Sequence, residues 1–541
     1  MSLSRPLQAM TSILQKIFRK SVDVSECCIG AFYLNKHLKD AQRRDCSGVF
    51  LVEFHSDYSS HIPTGFLVET FLCRFSPQIF AYLPTPITTR TRSSVHKLLF
   101  KISLAAPLIY RTFGASSLLC FGNLSQPRRY LYSITASNLL NTITSKHALE
   151  RLEIRGIRFG DLIYDQYLRK YSRPTIDIDS HEFRQFFQQS VFYILDFIDY
   201  FERFNVVGVS VSHCVYLNAV PLRIASSMDI PCFQPTLTHL YRLDSHRPYA
   251  YSSETKDYHS LFISLSPAQQ SQALSVAEQR LSQRFSGKVA VDMPYSTASA
   301  YSSATTDSLV LANSNRFKVL IATHCFFDSP HSYGLNLFPD FYEWLSFLGR
   351  LSTETDYDWY LKRHPDPLPG NKPIIKQFLS DFPSITEVPC QISHHQLIAE
   401  GINVALTVHG TIASEYSALG LPVINASPAN PHSPYGFSIT PSSVLEYESA
   451  IRDISRTSFS PDLSEVYEYY YMRNCYYSLD VFFKRGVSPL DVFDYPSLFR
   501  PSIYRRYFAY LVEPEIREIK SALSVFVASS DHRFSRIHFG S

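Results

Sequence analysis

Residues 403–425 read NVALTVHGTIASEYSALGLPVIN. An apolar run, Asn403 to Val408, ends in His-Gly-Thr. A helical pattern follows from about Ile412 to Leu419, and a second short apolar run closes the stretch at Pro422 to Asn425. Strand, turn, helix and strand in so short a span is the repeating unit of a parallel α/β sheet. Gly410 lets the backbone approach a ligand closely, and Thr411 reads as the helix N-cap. The first helical turn then offers unpaired amides to an anion such as a phosphate. Ser414 can add a hydroxyl there. Glu415, four residues past Thr411, is placed to accept hydrogen bonds from a ribose. The plainer alternative is that His409 ends the strand and Glu415 favours the helix start.

The same alternation extends upstream. Lys318 to Thr323 (KVLIAT) reads as a buried strand, and Phe338, Phe341, Leu345 and Leu348 recur at helical spacing. Trp359 to Lys362 is a second strand, followed by a helix over 371–381, a strand at Ile385 to Val388 and a helix over 394–400. Such a pattern predicts a doubly wound sheet whose ligands sit at the carboxyl ends of the strands. Lys362, Arg363, His364 and Pro365 follow one such end: two cations and an imidazole can neutralise phosphate charge, and the proline fixes the backbone beyond them. His324 closes the first strand in the same way.

The amino-terminal half is less regular. Gly48 to Phe54 (GVFLVEF) and Val206 to Val211 (VVGVSV) read as strands, residues 181–203 as a long aromatic helix, and Ile157 to Arg169 (IRFGDLIYDQYLR) as a loop entering a helix. The Ser/Thr/Ala-rich segment 294–315 suits a linker. The expected division is 1–300, 301–460 and a helical segment 461–541 that packs back on the first domain.

With 45% hydrophobic and 18% charged residues among 541, the chain is globular, and a net charge of +3 argues against a nucleic-acid partner. Ten cysteines without a CxxC pair fit a reducing, cytoplasmic compartment. No run is apolar enough to span a membrane. Residues 7–20 carry Leu7, Met10, Ile13, Leu14, Ile17 and Phe18 on one helical face beside Lys16, Arg19 and Lys20. This predicts either a peripheral anchor on the inner membrane face or a helix packed on its own domain.

The KRHP loop followed by HGTIASEYSALGLPVI, together with NPHSPYGFSITPSSVLE at 430–446, resembles the donor-binding domain of bacterial GT-B glycosyltransferases of capsule and lipopolysaccharide synthesis, including those that use CMP-Kdo. The resemblance covers about residues 316–450. It implies a GT-B fold, two Rossmann-like doubly wound domains facing a central cleft. It implies a nucleotide-sugar donor, CMP-activated by preference, held by His364 with Pro365 and by Thr411 with Ser414, and a carbohydrate or glycolipid acceptor. No metal or other cofactor is required by this chemistry, and Asp177 and Asp179 do not follow a buried strand as a metal-binding DxD would. A transferase of this class needs a base or a stabilising group on the acceptor side. Asp161, Asp165 and His213 are the candidates, with helix N-capping as the alternative for Asp161. A sugar-nucleotide 2-epimerase, a polyol-phosphate transferase and a non-catalytic nucleotide-binding scaffold are competing readings.

Overall fold

The computed structural model describes residues 22–38, 48–87, 89–102, 105–301, 309–364 and 369–535. Pro365 and the amphipathic stretch 7–20 lie outside them. The chain forms two compact units, one from residues up to 138 with 187–250 and 478 onward, the other from 139–186 and 251–477.

The first unit is built on a six-stranded sheet. Its strands are β1 (Val49–Glu53), β2 (Gln78–Tyr82), β3 (Ala115–Leu119), β4 (Val206–Ser210), β5 (Cys232–Pro235) and β6 (Leu240–Leu243). The order is β3-β2-β1-β4-β5-β6, parallel except for the β5–β6 pair. β1 is buried along its whole length, as a strand covered on both faces must be, which is why VFLVE shows no polar alternation. Phe50, Phe66, Phe71 and Phe233 form its core together with Phe482, Tyr504, Tyr507 and Phe526 from the end of the chain. Helix Glu513–Ala528 joins that core through Ile516, Ile519, Leu523 and Phe526, spaced three and four apart.

The second unit holds a wholly parallel five-stranded sheet: β7 (Phe317–Ala322), β8 (Tyr357–Lys362), β9 (Ile385–Val388), β10 (Val404–Thr407) and β11 (Val423–Asn425), in the order β9-β8-β7-β10-β11. The α/β class and the run of elements from 317 to 425 are as the sequence predicts. The boundaries are not those expected at 301 and 461. Helix Pro267–Phe285 belongs to the second unit because Ala273, Ala277 and Leu281 pack on Val466, Tyr469 and Tyr470 of helix Leu463–Asn474. Segment 139–186 belongs there too. In it, Gly160 opens helix Gly160–Tyr171 so close to the preceding helix Lys146–Glu150 that a Cβ would lie 1.8 Å from the Leu149 carbonyl oxygen. Among the described residues no helix is long and apolar enough to cross a membrane.

Candidate functional site

The order of the second sheet reverses between β7 and β10, and connections leaving a reversal point in opposite directions open a crevice at the strands' carboxyl ends. Two side chains bridge this point. Nε2 of His324 lies 3.1 Å from the amide nitrogen of Val408 and 3.0 Å from Oγ1 of Thr407. An amide can only donate, so Nε2 accepts. Burial holds the imidazole well below its ordinary pKa, so the ring is neutral and its proton sits on Nδ1. The Thr407 hydroxyl donates to the ring and accepts from the Gly410 amide at 3.2 Å. The ring stacks on Phe341, with centroids 4.6 Å apart.

Both residues line a cleft of about 490 Å³, in the size range of small-molecule sites. Tyr333, His364, His409, Gly410 and Thr411 share the lining. Nε2 of His409 is buried without a hydrogen-bond partner, and burial lowers the ring's pKa to about 4, so it too is neutral. Leaving such an atom unpaired costs on the order of 1–3 kcal/mol, a cost that a polar ligand or a water in the cleft removes. His409 also lines a small chamber with Ser414, His432, Tyr469 and Arg473. The Arg473 guanidinium donates to the Tyr251 carbonyl at 3.2 Å and lies within electrostatic reach of Glu254.

Several expected contacts differ. Lys362 is buried and its Nζ donates to the carbonyls of Cys390 at 3.0 Å and Ile392 at 2.6 Å; burial lowers its pKa to about 8. It ties down the 390–392 turn while lining the same cleft, as Arg363 does. Arg363 is paired with Glu387 on neighbouring β9 at 2.5 Å. His364 is exposed at the end of β8 and does reach the cleft. Thr411 has helical dihedrals and makes no side-chain cap, and helix Ile412–Ala418 has only seven residues, so its dipole contributes little. The Ser414 hydroxyl donates to the Thr411 carbonyl at 3.0 Å. Glu415 accepts from Tyr301 Oη at 2.9 Å on one oxygen and is ion-paired to Arg284 through the other. Each oxygen thus has one partner within the protein, and the residue lines both cavities.

Asp161 and Asp165 are both buried in the second unit and line neither cavity. Asp161 accepts from the Leu162 amide at 3.0 Å and faces Arg158 at 3.5 Å; it stands in the first turn, one place beyond Gly160, not at the cap. Asp165 is bound to His331 at 2.6 Å, and the other nitrogen of that ring meets Glu150 at 3.1 Å. Burial alone would lower the pKa of His331, but the two carboxylates overcome it and raise it to about 10. Asp165 therefore holds an imidazolium in a core ion cluster and is not free to act as a base. His213 belongs to the first unit, is exposed just beyond β4 and lines neither cavity.

Tyr333, Arg473 and His432 were not legible as site residues. Tyr333 and Arg473 belong to no local motif, and His432 lies in the 430–446 run without standing out within it; they come from the segment after β7, the helix after residue 462 and the loop after β11. Among the described residues, no group of three His, Cys, Asp or Glu side chains converges as metal ligands would.

Neither a family model nor a curated protein matches the chain. Among solved structures, it is similar to a Thermosulfurimonas dismutans KpsC, described as a beta Kdo 2,4 transferase, at 14% identity over 49% of this chain and 79% of that one, with a TM-score of 0.31. It is also similar to the UDP-GlcNAc 2-epimerase of Neisseria meningitidis bound to UDP-GlcNAc (11% identity, 85% and 98% covered, TM-score 0.22) and to S. aureus MnaA with UDP (12%, 89% and 97%, 0.22). At such scores these likenesses carry no weight for the chemistry, which has to be read from the residues themselves.

Proposed function

We propose that the chain is a glycosyltransferase of the GT-B type that binds a nucleotide-activated sugar in the second unit and transfers the sugar to a carbohydrate or glycolipid acceptor. The observation that carries this reading is the cleft at the β7–β10 reversal. There a neutral His324 presents an Nδ1–H, His409 an unpartnered Nε2 and Gly410 a close backbone. The Nδ1–H of His324 and the exposed His364 are donors of the kind that a phosphate requires. Arg473 in the adjoining chamber suits the carboxylate of an acidic sugar. This fits the preference for a CMP-activated donor that the sequence resemblance implies.

The test is a thermal-shift panel of CMP, CDP, UDP, GDP and dTDP. A ligand at a hundred times its Kd stabilises the native state by about 2.7 kcal/mol, a readily visible shift. One nucleotide is expected to raise the melting temperature of the wild type and not that of His324→Leu. No response to any of the five would overturn the reading. Product analysis with the matching nucleotide-sugar then separates transfer from epimerisation.

A further inference from the structure

From Thr70 to Asn138, all within the first unit, the chain has no aspartate or glutamate and eight lysines and arginines, against a net charge of +3 for the whole chain. Helix Arg90–Ile102 (RTRSSVHKLLFKI) lies in this stretch and packs against β3 and helix Ala106–Thr112, which lie in it too. Only Ser93 and Phe100 of its 13 residues are buried, and Phe100 joins the core of the first sheet. Two residues seven apart fall on nearly one line of a helix, so the inward face is narrow.

The outward face is not that of an ordinary solvated helix. Val95, Leu98, Leu99 and Ile102 recur at spacings of three and four, and at about 100° per residue their mean direction is opposite to that of Ser93 and Phe100. All four are exposed, Leu98 by 58% and Ile102 by 50%. Arg90, Lys97 and Lys101 run along one edge of this stripe and Arg92 along the other, and the helix carries no acidic residue. A second apolar stripe, on the side away from the core, adds nothing to the fold and marks a surface that meets something else.

The charges say what covers it. A second copy of the chain would bring the same four cations against themselves, and residues 7–20, the other amphipathic stretch, carry Lys16, Arg19 and Lys20 of the same sign. A nucleic acid would use the cations and leave the apolar stripe in water. A bilayer with anionic headgroups uses both: the apolar side chains enter the boundary between headgroups and acyl chains while the long basic side chains extend to lipid phosphates. At about 20 Å the helix is too short to cross a bilayer, so it would lie in the plane of the surface.

We propose that the outward face of helix Arg90–Ile102 docks this protein onto an anionic lipid surface. The contact stands whether or not the chain transfers a sugar, and it assigns the anchor to an element other than residues 7–20.

The test is flotation of the full chain with vesicles of phosphatidylcholine alone and of phosphatidylcholine with an equal share of phosphatidylglycerol. The wild type is expected to float with the anionic vesicles, and the bound fraction to fall between about 50 and 500 mM salt as the exposed charges are screened. Leu98→Glu combined with Ile102→Glu is expected to lower the partition coefficient by about tenfold or more at an unchanged melting temperature, since both side chains are exposed. Arg92→Gln combined with Lys97→Gln is expected to lower it by about fivefold per charge. A third measurement locates the contact. The chain's two tryptophans, Trp344 and Trp359, are buried in the second unit, so Leu98→Trp adds an exposed probe. Its emission should shift to the blue on anionic vesicles and be quenched by brominated lipid. Failure of the wild type to float, or equal flotation of the Leu98→Glu, Ile102→Glu variant, overturns the proposal. A loss in the charge variant with none in the apolar one does so too, and marks a nucleic acid or an acidic protein as the occupant. Blue-shifted Leu98→Trp emission without lipid means that residues 7–20 or a second copy already cover the face, and it also overturns the proposal.

Discussion

Nδ1 of His331 lies 2.6 Å from Oδ1 of Asp165, and both side chains are almost entirely removed from solvent. A charged imidazole between this carboxylate and Glu150 makes the stability of the second unit depend on pH. The folded-state pKa of about 10 stands above the ordinary 6.5, so the stabilisation is fully present below pH 6.5 and is lost as pH rises toward 10. Lys362, lowered to about 8, contributes in the opposite direction between pH 8 and 10.5. Burial lowers the pKa of His324, His394, His409 and His432 in the same unit, so these residues add stability as pH rises past 6.5, equally in wild type and variant. The difference in urea midpoint between the wild type and His331→Leu isolates the cluster and is expected to shrink from pH 6.5 to 8. The substitution itself, which strands two carboxylates, is expected to cost about 3–5 kcal/mol at pH 6.5.

Gly160→Ala provides a sharp check on the packing of segment 139–186. The added methyl would meet the Leu149 carbonyl and, at 2.7 Å, the Leu152 amide, neither of which is a flexible group that can swing away. A loss of about 4 kcal/mol or more, or failure to fold, is expected, against about 1 kcal/mol of gain if the site were an ordinary exposed helix position. Thermal melting of the purified variant distinguishes the two.

Thr407→Val keeps the shape of the side chain and removes the hydroxyl that bridges His324 to Gly410. About 1 kcal/mol of stability should be lost, the usual net worth of a hydrogen bond. The nucleotide-induced thermal shift should fall with it, since Nε2 loses one of its donors and the Nδ1–H tautomer is less firmly fixed. An unchanged shift would mean that His324 does not face the ligand.

Arg473→Met removes the charge and preserves much of the side-chain volume. If Arg473 meets the acidic group of the sugar, the free nucleotide should bind as in the wild type while affinity for the intact nucleotide-sugar drops by roughly tenfold or more, as for a lost charge-assisted hydrogen bond of about 1.5–3 kcal/mol. Isothermal titration with CMP and with a CMP-activated acidic sugar gives both numbers. Equal losses for the two ligands would place the arginine on the nucleotide instead.

How much was legible differs between the two units. The strands from 317 to 425 are short apolar runs joined by amphipathic helices, and this local periodicity is sufficient to place β7 to β11. His324, His364, His409 and Gly410 could be picked out because each directly follows a strand, and strand ends of a doubly wound sheet converge. Less legible were the partners of charged side chains. Lys362, Glu415 and Asp165 each look like a ligand contact in one dimension, yet each also meets a partner remote in sequence, Ile392, Arg284 and His331, and Asp165 lines neither cavity.

By itself the sequence determined the α/β class, the parallel sheet of the second unit and the strand ends where its cleft opens, because these follow from periodicities of two and 3.6 residues and from the residues that end each run. Only the tertiary structure decided which segments belong to which unit, which charges are neutralised and which polar atoms remain unspent. Those outcomes depend on pairings such as Ala277 with Val466 or Glu53 with Ser212, made across more than 150 residues of chain, where no local pattern specifies the partner.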